Sequence, residues 1–292
     1  MYNFENCDVR FNVPLKEYTT FKTGGNAKVF IEPKTPVAVA QVLRKLTERG
    51  ERYFVLGNGS NLLVADEGID CPVIHIGKNL SEIRVEGERV ICQAGALLSG
   101  AANAAYREEL TGMEFAQGIP GSVGGGVCMN AGAYGGELKD IIDWIDYASP
   151  SGEFYRMDCD TADLTYRHSF FSDKEYVVTA ACFKLNRGNG EEILAKMKDL
   201  AERRRDKQPL EYPSAGSTFK RPCGYFAAAL IEEAGLKGLS VGDACVSEKH
   251  SGFIINKGNA TTKDILCLME KVKKAVYEKS GVTLEAEVKF WK

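Results

Sequence analysis

Gly118-Ile119-Pro120-Gly121-Ser122-Val123-Gly124-Gly125-Gly126-Val127-Cys128-Met129-Asn130-Ala131-Gly132-Ala133-Tyr134-Gly135-Gly136 holds eight glycines in nineteen residues. Glycine loses more conformational freedom on folding than any other residue, so this density needs a cause. One cause is close approach of the backbone to a bulky, flat or phosphorylated ligand. Turns and tight packing between elements are the other, and the stretch alone is compatible with both.

On its N-terminal side lies a second glycine loop, Leu56-Gly57-Asn58-Gly59-Ser60-Asn61-Leu62-Leu63. It does not fit the dinucleotide fingerprint. Leu62 stands where the third glycine is required, and the residues after it are apolar and strand-like rather than the start of a helix. No glycine precedes Lys-Ser or Lys-Thr in the Walker frame. What remains is two strands, Tyr53–Leu56 and Leu62–Val64, joined by a loop. That loop suits an ordinary tight turn or a nest of backbone N–H groups that binds anionic oxygen without a lysine.

The rest of the chain narrows the setting. Its 292 residues are long for one core and predict about two or three domains. Lys and Arg number 37 against 40 Asp and Glu, a net charge of −3, which makes nucleic acid a poor partner. The one basic run, Arg203-Arg204-Arg205 with Lys207, follows a helical pattern from Glu191 to Glu202. It suits a helix C-terminus or a small anionic ligand. Nine scattered cysteines without Cys-x-x-Cys spacing read as reduced thiols. His75, His168 and His250 lie far apart, so no metal site is expected. Met1 to Phe11 lacks the apolar core of a signal peptide, and no run approaches the ~20 apolar residues that span a bilayer. A soluble, cytoplasmic protein is the expectation.

Three zones follow from periodicity and turn residues. The first, residues 1–75, holds a strand (Lys28–Glu32), a helix (Val37–Glu48, stopped by Gly50) and the two strands around the first loop. The second, 76–203, holds a hairpin (Arg84-Val85 with Val90–Cys92) and an alanine-rich helix (Leu97–Glu109). Strands at Trp144–Ala148, Glu153–Arg156 and Tyr176–Leu185 follow, then a helix from Glu191. The third, 204–292, holds helices Tyr225–Ala234 and Thr262–Ser280 and a last strand, Val282–Trp291. Strands and helices mix without a regular βαβ beat, which predicts α+β rather than a doubly wound sheet.

The two loops together resemble the FAD-binding domain of the vanillyl-alcohol-oxidase (PCMH) type. From Tyr18-Thr19-Thr20-Phe21-Lys22-Thr23-Gly24-Gly25 to Leu284-Glu285-Ala286-Glu287-Val288 the sequence is similar to the UDP-N-acetylenolpyruvoylglucosamine reductase family. The resemblance implies a two-part FAD-binding fold over 1–75 and 76–203, with an α+β substrate-binding domain at 204–292. It implies non-covalent FAD held by Gly57, Asn58, Gly59, Ser60, Asn61, Gly118, Ile119, Pro120, Gly121, Ser122, Gly124, Gly125, Asn130, Ala131 and Gly132. It further implies NADPH as co-substrate, and reduction of UDP-N-acetylglucosamine enolpyruvate to UDP-N-acetylmuramate in peptidoglycan precursor synthesis. No membrane, nucleic acid or obligate protein partner is implied.

Three further motifs carry the expected chemistry. In Tyr166-Arg167-His168-Ser169-Phe170-Phe171 an arginine among aromatics can simply stack; the resemblance sets Arg167 against the substrate carboxylate, which a bidentate guanidinium suits. Ser214-Ala215-Gly216-Ser217-Thr218-Phe219-Lys220-Arg221-Pro222 reads as a polar loop. Ser217 lies too far upstream to cap the following helix, and the resemblance makes it the proton donor. In Val282–Trp291, alternation sets Leu284, Ala286, Val288 and Phe290 on one face and Glu285, Glu287 and Lys289 on the other. A solvated face is the plain account of the acidic side, and the resemblance singles out Glu287. Beside a substrate carboxylate, Glu287 is expected to act protonated. Lys207, Lys220 and Arg221 match the family's substrate-binding region, although many relatives carry asparagine where Arg221 stands. The tyrosine-bearing loop that some relatives insert between these motifs is absent, as in the loop-less branch.

Two other readings stay open on sequence alone. One is a flavin oxidoreductase of the same superfamily with covalently tethered flavin, for which Cys128 is the only cysteine in either loop. The other is a nucleotide-sugar binding protein that holds no flavin.

Overall fold

The computed structural model describes residue 2, residues 4–172 and residues 174–292, arranged as two compact units. The first unit is built from Met1–Phe11, Val29–Asn58 and Cys71–Arg204, and the second from Asn12–Lys28, Gly59–Asp70 and Arg205–Lys292. The fold is α+β.

In the first unit, Thr35 accepts a hydrogen bond from the Ala38 N–H at 3.1 Å, and Pro36 follows it. A capping threonine and a proline at the first helical position both favour a start there, and α1 (Pro36–Glu48) begins as expected. Its buried stripe of Val39, Val42, Leu43 and Leu46 shares a core with Ile31 and Ile74. Those two residues pair directly across the parallel strands Asn26–Pro33 and Val73–His75, and Phe54–Leu56 pairs parallel on the other side of Val73–His75.

A second, antiparallel sheet runs in the order Phe154–Asp158, Ile142–Ala148, Val177–Lys184, Arg89–Gln93, Ile83–Glu86. The strand Val177–Lys184 lies at its centre and is buried over most of its length, which explains why its residues are mostly apolar. The alanine-rich helix α2 spans Leu98–Arg107.

Between α2 and Asn130 the structure forms a helix that the sequence did not predict, α3 (Val123–Cys128). Three of its six residues are glycine, and glycine costs about 1 kcal/mol per helical residue relative to alanine. Packing holds it instead. A β-carbon built on Gly124 would lie 2.9 Å from the Ala94 β-carbon, and one on Gly126 would lie 3.0 Å from Leu98. Here the glycines let α3 close onto Ala94, just past the strand Arg89–Gln93, and onto Leu98 of α2. The long helix α4 spans Gly190–Lys207.

The two strands that flank the first glycine loop do not pair with each other. Phe54–Leu56 joins Val73–His75 in the first unit, and Leu62–Val64 pairs parallel with Lys289–Trp291 in the second. The second unit also holds the antiparallel strands Ser240–Val241, Ala244–Val246 and Ile254–Asn256. Helices α5 (Ala227–Glu233) and α6 (Thr262–Ser280) share one core with them. Helix α6 has the bounds read from sequence, because Thr261 and Asp264 form a capping box and Gly281 ends it at φ +70°.

The expected strand Val282–Trp291 is shorter than predicted. A bridge from Phe219 to Ala286 and the strand Lys289–Trp291 are formed, with a bend at Val288 between them. Leu284 and Val288 are buried as the alternation requires, but Phe290, beyond the bend, is 40 % exposed. Among the described residues no helix is long and apolar enough to cross a membrane.

Candidate functional site

The first unit brings the two glycine loops into contact. A β-carbon on Gly57 would fall 2.4 Å from the Ser122 Oγ, so a larger residue at that point has to displace this hydroxyl of the second loop. The Asn58 amide donates to the Pro120 carbonyl at 2.6 Å. Ser122 also caps α3 by accepting the Gly125 N–H at 3.4 Å, and Gly125 itself is exposed. The Gly121 carbonyl accepts from Leu98, the Ile119 N–H donates to Ala116 and the Ala131 N–H donates to Gly126. Gly132 lies against the Gly136 carbonyl and Glu137. Next to this cradle, the Gln117 Oε1 is buried without a hydrogen-bond partner. A polar ligand repairs the cost of such an orphan, on the order of 1–3 kcal/mol.

The Arg167 motif is bolted to the same loop. Thr165 and His168 exchange backbone hydrogen bonds at 3.1 and 3.2 Å, with Tyr166 and Arg167 at the tip of the turn. Arg167 is held at φ +56°, a conformation that a type II turn normally fills with glycine. Its guanidinium carbon lies 5.1 Å from the centre of the Tyr166 ring. Asn130, fully buried, donates to the Thr165 carbonyl at 3.1 Å and to Glu137 at 3.0 Å, and accepts the Lys139 N–H at 2.9 Å. The Lys139 ammonium beside Glu137 holds that carboxyl below the usual carboxylate range against the effect of burial, and Asn130 and Arg167 act in the same direction. Ser169 and Ser172 both donate to the Cys128 carbonyl at 2.9 Å. Burial pushes the Cys128 thiol up to about 12, so it is a poor nucleophile at neutral pH and a poor tether for a flavin.

The basic run has a structural role that the sequence did not single out. Arg203 pairs with Asp199 one turn back. Arg204 lays its guanidinium on the backbone of Gly118, where a β-carbon would be 2.9 Å from its Nε, and lies 5.8 Å from the Tyr134 ring. Arg204 stands one helical turn before Lys207, and that spacing was the available signal. Both residues fall on one face of a helix.

In the second unit the serine motif runs antiparallel beside the C-terminal segment. Phe219 bridges Ala286, the Lys220 N–H donates to the Glu285 carbonyl at 2.8 Å, and the Glu287 N–H donates to the Thr218 carbonyl at 2.9 Å. Ser217, half-buried, follows Gly216 at φ +74°. Thr218 is fully buried, and its hydroxyl accepts the Ile254 N–H at 3.0 Å. Asn61 of the first glycine loop joins the same place: its amide donates to the Glu287 carbonyl at 3.0 Å, and its carbonyl accepts the Lys289 N–H at 3.0 Å. Thus Asn61, Ser217 and Glu287 are neighbours within one unit, whereas Arg167 belongs to the other.

Gly59 has φ +60° and a β-carbon there would be 2.0 Å from the Tyr18 carbonyl, so this turn admits glycine alone. Ser60 is half-buried, and the Thr20 N–H donates to the Gly59 carbonyl at 3.2 Å. The Thr20 and Thr23 hydroxyls are buried without partners. Among the remaining predicted residues, Lys207 is exposed, Lys220 pairs with Glu285, and the Arg221 guanidinium covers the Phe226 ring.

Comparison with known proteins gives this geometry a context. A UDP-N-acetylenolpyruvoylglucosamine reductase C-terminal domain model matches residues 208–291, and an FAD binding domain model matches residues 27–158. The chain is similar to a UDP-N-acetylenolpyruvoylglucosamine reductase of Clostridium novyi, at 51 % identity over 97 % of this chain and 92 % of that one. It is also similar to one of Caldanaerobacter subterraneus, at 49 % identity over 95 % and 92 %. Among solved structures, the UDP-N-acetylenolpyruvylglucosamine reductase from Thermus caldophilus superposes with a TM-score of 0.84 and 36 % identity, covering 98 % of this chain and 99 % of that one. The fold is therefore the FAD-binding type with a reductase C-terminal domain. Within the first unit, the glycine cradle and the orphaned Gln117 oxygen fit a polar, flat cofactor of this kind.

Proposed function

The chain belongs to the UDP-N-acetylenolpyruvoylglucosamine reductase family, and on that premise we propose that it reduces UDP-N-acetylglucosamine enolpyruvate with NADPH and that Ser217 is the proton donor. It is a flavin-dependent oxidoreductase of peptidoglycan precursor synthesis, and FAD is its cofactor. FAD, when bound, supplies the two-electron hydride chemistry. The residues that would hold it are Gly57 to Asn61, Gly118 to Ser122, Gly124, Gly125 and Asn130 to Gly132.

The rest of the reaction is the task of this chain's side chains. Reduction of the enolpyruvyl double bond builds negative charge on the carbon next to the carboxylate. Arg167 faces that carboxylate, a role in which one preorganised donor contributes roughly 3–4 kcal/mol. Glu287, brought beside a second carboxylate, acts in its protonated form as a hydrogen-bond donor. Ser217 gives its proton to the charged carbon. A hydroxyl is a weak acid, so placement has to compensate. Lys207, Lys220 and Arg221 receive the nucleotide's phosphates. The residue ranges 1–75, 76–203 and 204–292 divide these tasks into two cofactor-binding parts and a substrate-binding part, in a cytoplasmic enzyme.

One observation carries the proton-donor assignment: the Glu287 N–H donates to the Thr218 carbonyl at 2.9 Å, so the residue after Ser217 is hydrogen-bonded to the glutamate. The test separates the half-reactions in anaerobic stopped flow. Ser217→Ala leaves flavin reduction by NADPH near the parent rate and slows substrate reduction by about 100-fold or more. Equal losses in both steps make Ser217 a structural residue and overturn the assignment.

A further inference from the structure

We propose that Phe226, with the Arg221 guanidinium fixed over one face of its ring, is the platform on which the uracil of the nucleotide substrate stacks. This rests on the uridine-diphosphate-sugar reading above and names the part of the site that takes the base. The guanidinium carbon of Arg221 lies 3.9 Å from the centre of the Phe226 ring, yet Phe226 is 60 % exposed. A ring covered on one face and that exposed overall presents its other face to solvent. Tyr225 beside it is 49 % exposed.

Local stability does not account for an aromatic at this position. Phe226 is the N-cap of α5, in extended conformation at φ −115°, ψ 121°, and its side chain makes no capping hydrogen bond. Serine, threonine, aspartate or asparagine stabilises such a helix start; phenylalanine does not. The turn before it is well defined, with the Tyr225 N–H donating to the Pro222 carbonyl at 3.1 Å and Gly224 at φ +76°. The ring is therefore presented by a tight turn rather than by a loose loop.

Its place along the chain follows the reacting end. Thr218 to Lys220 runs beside Glu285–Glu287, directly after Ser217, and Arg221 comes next. The order along the segment is then reacting end at Ser217, phosphates at Lys220 and Arg221, base at Phe226. A flat base on an aromatic ring backed by a guanidinium gains from stacking and cation–π attraction together.

The experiment titrates UDP, and separately inorganic pyrophosphate, into the FAD-loaded protein by calorimetry. Phe226→Ala weakens UDP binding about tenfold and leaves pyrophosphate binding unchanged, while Phe226→Trp keeps parent-like UDP affinity; FAD content at 450 nm reports that each variant is folded. UDP affinity within twofold of the parent in Phe226→Ala overturns the platform, as does an equal loss for UDP and pyrophosphate. If the parent itself neither binds UDP nor turns over the enolpyruvyl nucleotide, the functional reading fails first and takes the platform with it.

Discussion

Asn130 donates its side-chain amide to the Thr165 carbonyl at 3.1 Å, so a fully buried residue of the second glycine loop fixes the turn that carries Arg167. The same amide reaches Glu137, and its oxygen holds the Lys139 N–H. The second glycine loop and the Arg167 turn thus share one anchor. Replacing Asn130 by Asp removes both donors and sets a second carboxylate against Glu137 in a buried place. The expected result is a loss of unfolding free energy of about 3 kcal/mol or more in urea, together with a lower kcat. Parent-like stability in Asn130→Asp would show that the turn is held by its own backbone bonds.

Gly57 and Ser122 allow a sharper test of the cradle. A β-carbon on Gly57 meets the Ser122 Oγ at 2.4 Å, while the backbone there is not in the left-handed region. The penalty of Gly57→Ala is therefore steric. Gly57→Ala should lower FAD occupancy, read as absorbance at 450 nm per protein. Adding Ser122→Ala should restore part of it, with a coupling of about 1 kcal/mol in the double-mutant cycle. Additive losses would mean the two loops do not meet in the cofactor-binding state.

How much of this could be read beforehand depended on whether the signal was local. Helix α6 matched its sequence bounds because Thr261, Asp264 and Gly281 are capping signals within the element. Helix α3 escaped notice because its glycines argue against a helix, and what holds it is the packing of Gly124 and Gly126 on Ala94 and Leu98. The pairing of Leu62–Val64 with Lys289–Trp291 joins distant segments and has no local signature. The site divides in the same way. Glycine spacing and the Ser217 and Glu287 motifs are visible in one dimension. The Asn130 anchor, the contact of Arg204 with Gly118 and the left-handed Arg167 are products of tertiary structure.

Acid stability should depend on Glu114. Its side chain is 2 % exposed and is hydrogen-bonded by Thr111 at 2.6 Å and by the Lys196 ammonium at 3.2 Å. Burial alone would raise its pKa, but these bonds and the Gly112 N–H hold it below the ordinary range. A carboxyl depressed in the folded state stabilises fully above its unfolded pKa of about 4.3 and loses that contribution as pH falls through the folded value. Glu114→Gln should therefore be clearly less stable than the parent at pH 7. The gap should narrow below about pH 4 in urea titrations. A constant gap from pH 7 to pH 3 would remove Glu114 from the acid response.

Arg167 pits stability against catalysis, and the two can be measured apart. At φ +56° a side chain with a β-carbon costs roughly 1–2 kcal/mol, a cost glycine avoids. Arg167→Gly and Arg167→Ala both remove the guanidinium, so both should lose about 10²–10³ in kcat/KM for the enolpyruvyl substrate. Their stabilities should differ. The alanine variant keeps the left-handed penalty and the glycine variant sheds it, less the greater freedom glycine gains on unfolding. Arg167→Gly should therefore unfold about 1 kcal/mol harder than Arg167→Ala in urea. Equal stability of the two would mean that the turn relaxes once the guanidinium is gone, and that the guanidinium's own contacts, rather than the Thr165–His168 frame, force the conformation.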